Sequence, residues 1–277
     1  MIKVGKINHL KILYTTPSGM YLDAGTGNRR DNILLPGKEC SGLKDGDEVS
    51  VFIYHDSEDR LIATIKKPFA QVGELAYLKV TANTKVGSFL DLGLDRGLFL
   101  PFREQKYPIE VDKSYLVYLY LDKSGRLSCT TDIGDFLKVT SPYKKNDTIT
   151  GTIYAINPQI GIFVAVDNLY QGLIPNNENF VKRTWGEIVQ ARVIRVREDG
   201  KLDLSPRNLA HEQMNIDGEL LINAMLANGG KLPLNEKAAP EEIQQAFQMS
   251  KGAFKRAIGT LLKKERIRKE GDDFFLP

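Results

Sequence analysis

Three glycines in this 277-residue chain are each followed two positions later by an aromatic residue: Gly19-Met20-Tyr21-Leu22, Gly87-Ser88-Phe89-Leu90 and Gly161-Ile162-Phe163-Val164. Successive side chains of a strand point to opposite faces. Ile162, Val164 and Val166 are therefore expected to share an inward face, with Phe163 pointing outward. The same parity sets Tyr21 opposite Met20 and Leu22, and Phe89 opposite Leu90 and Leu92. One outward ring commonly covers a neighbouring domain or loop. Three at one position suit base stacking, worth roughly 1–3 kcal/mol per base. A basic residue precedes a later strand in each case, at Arg60-Leu61, Arg126-Leu127 and Lys201-Leu202. Cations there would follow the phosphates of a strand laid over the rings.

No residue pattern suits catalysis. His9, His55 and His211 lack partners at triad spacing. His211-Glu212 is not followed by the second His of a zinc-protease helix. Cys40 and Cys129 lie far apart and form no CxxC pair, which argues against a structural zinc. Gly25-Thr26-Gly27-Asn28-Arg29-Arg30 lacks the third Gly of a dinucleotide fingerprint and opens no helix. It reads as an extended basic loop of repeat one, able to meet phosphate. The expectation is a binding protein and not an enzyme, with no cofactor, no metal and no small-molecule substrate.

Composition bounds the remainder. A hydrophobic fraction of 42% supports packed cores, and a net charge of +3 is only a weak pointer to a polyanion. Met1 to Leu13 has no continuous apolar run, and no stretch reaches membrane-span length. The expectation is a soluble, cytoplasmic protein without membrane contact.

The elements that must position the rings recur three times. After each aromatic comes an apolar strand ending in Pro: Leu34-Leu35-Pro36, Phe99-Leu100-Pro101 and Leu173-Ile174-Pro175. An alternating strand follows, within 49–53, 116–120 and 189–193, and then a charged turn. Short strands bounded by turn residues favour small barrels or sandwiches. Helical spacing begins only after about His211, so strands come first and helices last, which argues for segregated domains. The boundaries read as 1–67, 68–140, 141–209 and 210–277. Repeat three also carries Lys182, Arg183, Arg192, Arg195, Arg197 and Arg207. Arg195 and Arg197 alternate with Ile194 and Val196 and should share a face. Tyr154, on the outer side of the first strand of repeat three, could supply a further ring or simply be solvated.

Repeat three resembles an S1 RNA-binding domain, a five-stranded OB-fold barrel, over essentially its whole length. Its Gly151, Gly161-Ile162-Phe163-Val164, Gly172-Leu173-Ile174, Gly186-Glu187-Ile188-Val189 and Gly200-Lys201-Leu202-Asp203-Leu204-Ser205 follow that family's order. Repeats one and two are similar but diverged. The resemblance implies that Phe163 stacks on bases and that Lys201 contacts the backbone. It implies the same, more weakly, for Tyr21, Arg60, Phe89 and Arg126. The family often has a second aromatic where Ser18, Val86 and Ile160 stand, and His where Pro36, Pro101 and Pro175 stand. Each repeat alone is therefore expected to bind RNA weakly.

The last segment reads as helix, short strand, helix, helix and hairpin. Asn228-Gly229-Gly230 closes the first helix, Ser250 caps the third, and Gly271 turns the hairpin. This order resembles a winged-helix domain, with the recognition helix starting at Met249-Ser250-Lys251. Lys251, Lys255 and Arg256 would face phosphates, and Lys263, Lys264, Arg266, Arg268 and Lys269 extend the charge toward the wing. Three tandem S1-like OB-fold barrels followed by an α+β winged helix, a multidomain and mainly β chain, resemble the conserved virulence factor B family of Gram-positive bacteria. That resemblance implies a regulator that binds single-stranded RNA and acts post-transcriptionally. DNA bound through the winged helix is the alternative partner. A third reading is a scaffold associated with a ribosome or nuclease, whose barrels bind protein.

Overall fold

The computed structural model describes residues 2–179, 181–206 and 210–277, with side chains outside 210–215. Arg207 of the basic set therefore lies outside the described residues, as does the side chain of His211. The chain forms two compact units, Met1–Pro206 and Arg207–Pro277. The first holds three closed five-stranded barrels. Barrel 1 comprises β1 (Ile7–Thr16), β2 (Gly19–Leu22), β3 (Ile33–Pro36), β4 (Glu48–His55) and β5 (Leu61–Thr64). Barrel 2 comprises β6 (Leu75–Asn83), β7 (Gly87–Leu90), β8 (Leu98–Pro101), β9 (Ser114–Leu121) and β10 (Leu127–Thr130). Barrel 3 comprises β11 (Thr148–Asn157), β12 (Gly161–Val166), β13 (Tyr170–Pro175), β14 (Ile188–Val196) and β15 (Leu202–Ser205). In each, the first strand pairs antiparallel with the second and fourth, and the third and fifth pair in parallel.

The marker glycines have a steric cause. Gly19, Gly87 and Gly161 hold φ of 143°, 156° and 145°. A Cβ there would lie 2.0, 2.4 and 2.2 Å from the carbonyl oxygens of Leu35, Leu100 and Ile174. Only a residue without a side chain lets the second strand start this close to the third. The inward parity holds: Leu22, Leu90 and Val164 are fully buried, each in its own barrel core with Leu35, Leu100 and Ile174.

The first strand of every barrel carries a bulge at the same place. Ile12 pairs Leu22 but Tyr14 pairs Tyr21; Val80 pairs Leu90 but Ala82 pairs Phe89; Ile153 pairs Val164 but Ala155 pairs Phe163. One residue is extra in the first strand, so alternation restarts on the other face beyond it. Tyr14, Ala82 and Ala155 thus stand beside the outward aromatics, although their parity from Ile12, Val80 and Ile153 would turn them inward.

The second unit has α1 (Ala210–Ala227), α2 (Pro240–Phe247), α3 (Lys251–Lys263) and a hairpin of β16 (Arg268–Glu270) and β17 (Asp273–Phe275). Lys231 adds a bridge to Phe275, which supplies the expected short extended piece. Ser250 caps α3, accepting a hydrogen bond from the Ala253 amide at 3.2 Å. Leu221, Met225, Ile243, Phe254, Ile258 and Phe274 meet in one core. On α1, Leu221 and Ile222 are buried, while Ile216 and Leu220 are exposed.

Candidate nucleic-acid interface

The outer face of barrel 1 carries the most complete stacking surface. Tyr14 on β1 and Tyr21 on β2 stand side by side, ring centroids 5.1 Å apart and planes 21° from parallel. The apolar strip continues in register onto Leu34 of β3 and Ile62 of β5. All four are half-buried, so one side of each remains available. The Arg29 guanidinium lies 4.5 Å from the Tyr14 ring centroid, within cation–π range. Arg30 beside it is exposed. A base laid on the rings would find a cation at its edge.

Tyr14 is the residue that sequence parity missed. The departure at Ser18 removed one expected ring, and the bulge supplies another from the neighbouring strand. Its signal in the sequence was the pairing of Ile12 with Leu22, which cannot be read without the register.

Arg60 is less free than expected. It donates to Asp56 through Nε and Nη2 at 2.9 and 2.8 Å and pairs Glu58 at 2.8 Å. Two carboxylates thus compete with any phosphate for its charge.

Barrel 2 turns its equivalent face toward barrel 1. Phe89 and Phe99 pair across β7 and β8, centroids 5.3 Å apart, and line a cavity with Tyr54 and His55 of barrel 1. Arg126 was expected on phosphate. Instead its Nε and Nη2 each donate to a carboxylate oxygen of Asp59 in barrel 1, at 2.7 Å. That hydrogen-bonded guanidinium holds the Asp59 carboxyl below its usual range. Asp95 is gripped by both Lys38 and Lys66, and Arg96 donates to the His55 and Asp56 carbonyls. These contacts tie the two barrels together.

Barrel 3 turns its face toward barrel 2. Tyr154 occupies the bulge and is 8% exposed, packed among Leu116, Ile133 and Leu137. Burial pushes its hydroxyl up to about 12. The expectation of an accessible Tyr154 ring is therefore corrected: the outer side of this strand is covered by barrel 2. Phe163 leans on Tyr154 at 6.1 Å and packs partly against the same cluster, so it is a junction ring with one edge left exposed. The stacked Tyr107 and Trp185 rings, 5.4 Å apart, add to this junction.

The basic strand of repeat three is pinned by one carboxylate. Asp203, 3% exposed, pairs both Arg195 and Arg197 at 2.6 Å. They do share a face, as expected, but their charge is partly compensated. Arg192 donates to Asn146 at 3.0 Å, away from that pair, and Lys201 pairs Asp199 at 3.3 Å.

In the second unit, Lys251 is tethered, its ammonium donating to the Ala238 carbonyl at 2.8 Å. Lys255 and Arg256 are exposed on α3 and have no ion-pair partner among the described residues. Arg266 pairs with Glu219 on α1, and Lys269 of the wing pairs with Glu236 at 3.4 Å. Unpaired charge on this unit thus centres on the exposed turns of α3. Among the described residues, no helix is long and apolar enough to cross a membrane.

Comparison with known proteins agrees with this architecture. Residues 4–66 and 72–132 match the S1 domain family model. Residues 135–208 match the second domain of virulence regulatory factor CvfB, and 219–276 match the CvfB-like winged helix domain. The S1 matches thus fall on the repeats expected to be diverged, while repeat three, expected to be the clearest S1 copy, matches a family-specific model. A Streptococcus pneumoniae multidomain protein with nucleic acid binding domains shares the fold, with TM-score 0.54 and 24% identity over 99% of this chain and 98% of that one. The uncharacterized protein YitL of Bacillus subtilis (strain 168) is 33% identical over 94% of this chain and 89% of its own length. S1 domains and a winged helix suggest nucleic-acid binding. Conserved virulence factor B of Staphylococcus aureus is 31% identical over 96% of this chain and 92% of its own, and the chain belongs to the conserved virulence factor B family.

Proposed function

We propose that the protein is a cytoplasmic regulator that binds single-stranded RNA with little base specificity and influences gene expression post-transcriptionally. It acts by binding and not by catalysis. One observation carries this reading: the half-exposed Tyr14–Tyr21 pair with Arg29 over it, on the outer face of an S1-matched barrel. Rings on an open strand face accept any base, because every base has a π-face. A duplex hides those faces, so the pair favours a single strand.

The winged helix supports a second reading. Lys255 and Arg256 are exposed and unpaired on α3, which suits phosphate contact and hence duplex DNA. The two readings separate in one experiment: binding of single-stranded RNA, duplex RNA and duplex DNA at two salt concentrations, by the whole chain and by a truncation ending at Pro206. The RNA reading expects single-stranded RNA to bind tightest and the truncation to keep part of that affinity. Preference for duplex DNA, lost with the truncation, would replace it with the second.

A further inference from the structure

The face of barrel 2 differs from an open stacking platform because barrel 1 roofs it. Between them lies a cavity of about 260 Å³. One wall is the Phe89 and Phe99 rings of β7 and β8; the other is Tyr54 and His55 at the end of β4. Asp122 and Arg126 also line it, beside the apolar side chains of Val86, Leu92, Leu94 and Leu127. This volume lies just under the range of about 300–1,000 Å³ that drug-sized ligands fill, which suits one flat heterocycle and nothing much larger.

The polar groups fit the edge of such a ring. The His55 Nδ1 is buried and has no hydrogen-bond partner among the described residues. Buried polar atoms are nearly always paired, so one left unpaired in a cavity wall marks a place for an incoming group. Arg126 spends Nε and Nη2 on Asp59 and keeps Nη1 for something else. Asp122 uses Oδ1 to accept from the Ser124 and Arg126 amides. A donor, an acceptor and an imidazole nitrogen that can be either stand around two aromatic walls. The walls are also fixed in position: Asp59 to Arg126, Asp95 to Lys38 and Lys66, and Arg96 to the His55 carbonyl tie the two barrels at this junction.

We propose that this junction cavity receives one nucleobase of a bound single strand, unstacked from its neighbours and held between barrel 1 and barrel 2. The proposal rests on the RNA-binding reading and adds a base-selective position to an otherwise tolerant surface. The pocket reads a base edge through fixed groups, whereas Tyr14 and Tyr21 offer only faces.

The test uses the whole chain and a set of single-stranded RNAs, roughly 12 nucleotides long to match OB-fold site sizes. Each carries 2-aminopurine at a different position. Binding is followed by anisotropy and the label's exposure by acrylamide quenching. The expected result is one position shielded from acrylamide several-fold more than its neighbours. In Phe99→Ala that shielding disappears and affinity falls on the order of tenfold. In Tyr21→Ala affinity falls while the shielding stays. RNA binding with no shielded position in the native chain, which needs no variant to observe, overturns the pocket alone. Shielding that survives in Phe99→Ala overturns it as well. Failure of the native chain to bind any of these RNAs overturns the pocket and the RNA reading together.

Discussion

Tyr14 and Tyr21 leave part of each ring in water, and each covers part of the other. Side-by-side rings on a strand pair contribute only a few tenths to about 1 kcal/mol to a sheet. Their larger effect is available to a ligand that covers the remaining faces. Arg29 adds charge at the edge of this surface, so Arg29→Ala should weaken single-stranded RNA binding and reduce the salt slope of log affinity by about one. A slope equal to that of the native chain removes Arg29 from the phosphate path. Tyr154 is the opposite case. It is a buried junction residue, so Tyr154→Ala should lower the stability of the barrel unit by about 3 kcal/mol in a denaturant melt. The RNA affinity of the folded fraction should stay within a factor of about two, since the ring is not accessible to a ligand. The outward aromatics, the marker glycines and the basic strand face were legible because period-two alternation fixes them locally. Tyr14 was not, because the bulge between Ile12 and Tyr14 reverses the alternation without any composition signal; the outward side of Tyr154 was legible, but its covering by barrel 2 was not.

At the scale of elements, the barrels differ less in their folds than in what covers them. The face of barrel 3 meets barrel 2, the face of barrel 2 meets barrel 1, and the rings of barrel 1 contact each other. Three strand-rich units followed from the repeat, and their closure into five-stranded barrels from the resemblance to S1 domains. The coverings did not, because an outward ring has the same sequence signature whether it meets a base or a neighbouring barrel. Two junction features are testable. Gly186 has φ of 77°, and a Cβ there would lie 2.6 Å from the Ser114 carbonyl oxygen across the junction. Gly186→Ala should therefore cost about 1–3 kcal/mol, read as a shift of the unfolding midpoint. No shift would mean that barrels 2 and 3 separate at little cost. Asp95 lies between Lys38 and Lys66, whose hydrogen bonds lower its carboxyl from 3.8 to about 2. A depressed carboxyl contributes stability fully above its unfolded value and loses it as pH falls through the folded one. The stability difference between the native chain and Asp95→Asn should thus be constant above pH 3.8 and vanish toward pH 2. A difference independent of pH over that window would show that the charge of Asp95 does not hold barrels 1 and 2 together.

On the proposed function, the whole molecule combines several modest sites on one chain. Arg60, Arg126, Arg195 and Arg197 all spend charge on nearby carboxylates, which leaves less of it for a phosphate. Linkage compensates, because a strand held at one site is at high effective concentration for the next. Lys255 and Arg256 on α3 supply unpaired charge on the second unit. Neutralising both should weaken binding and flatten its salt dependence, whereas neutralising Lys251, already tethered to Ala238, should do little beyond a small stability loss. On the proposed function, single-stranded RNA lies on the rings of barrel 1. Its most direct test is the affinity of the double variant Tyr14→Ala and Tyr21→Ala for a short single-stranded RNA at fixed salt, with folding checked by the unfolding midpoint. The expected result is a loss of at least about tenfold, as two stacking surfaces at roughly 1–3 kcal/mol each would give. A folded double variant that binds as tightly as the native chain would contradict it.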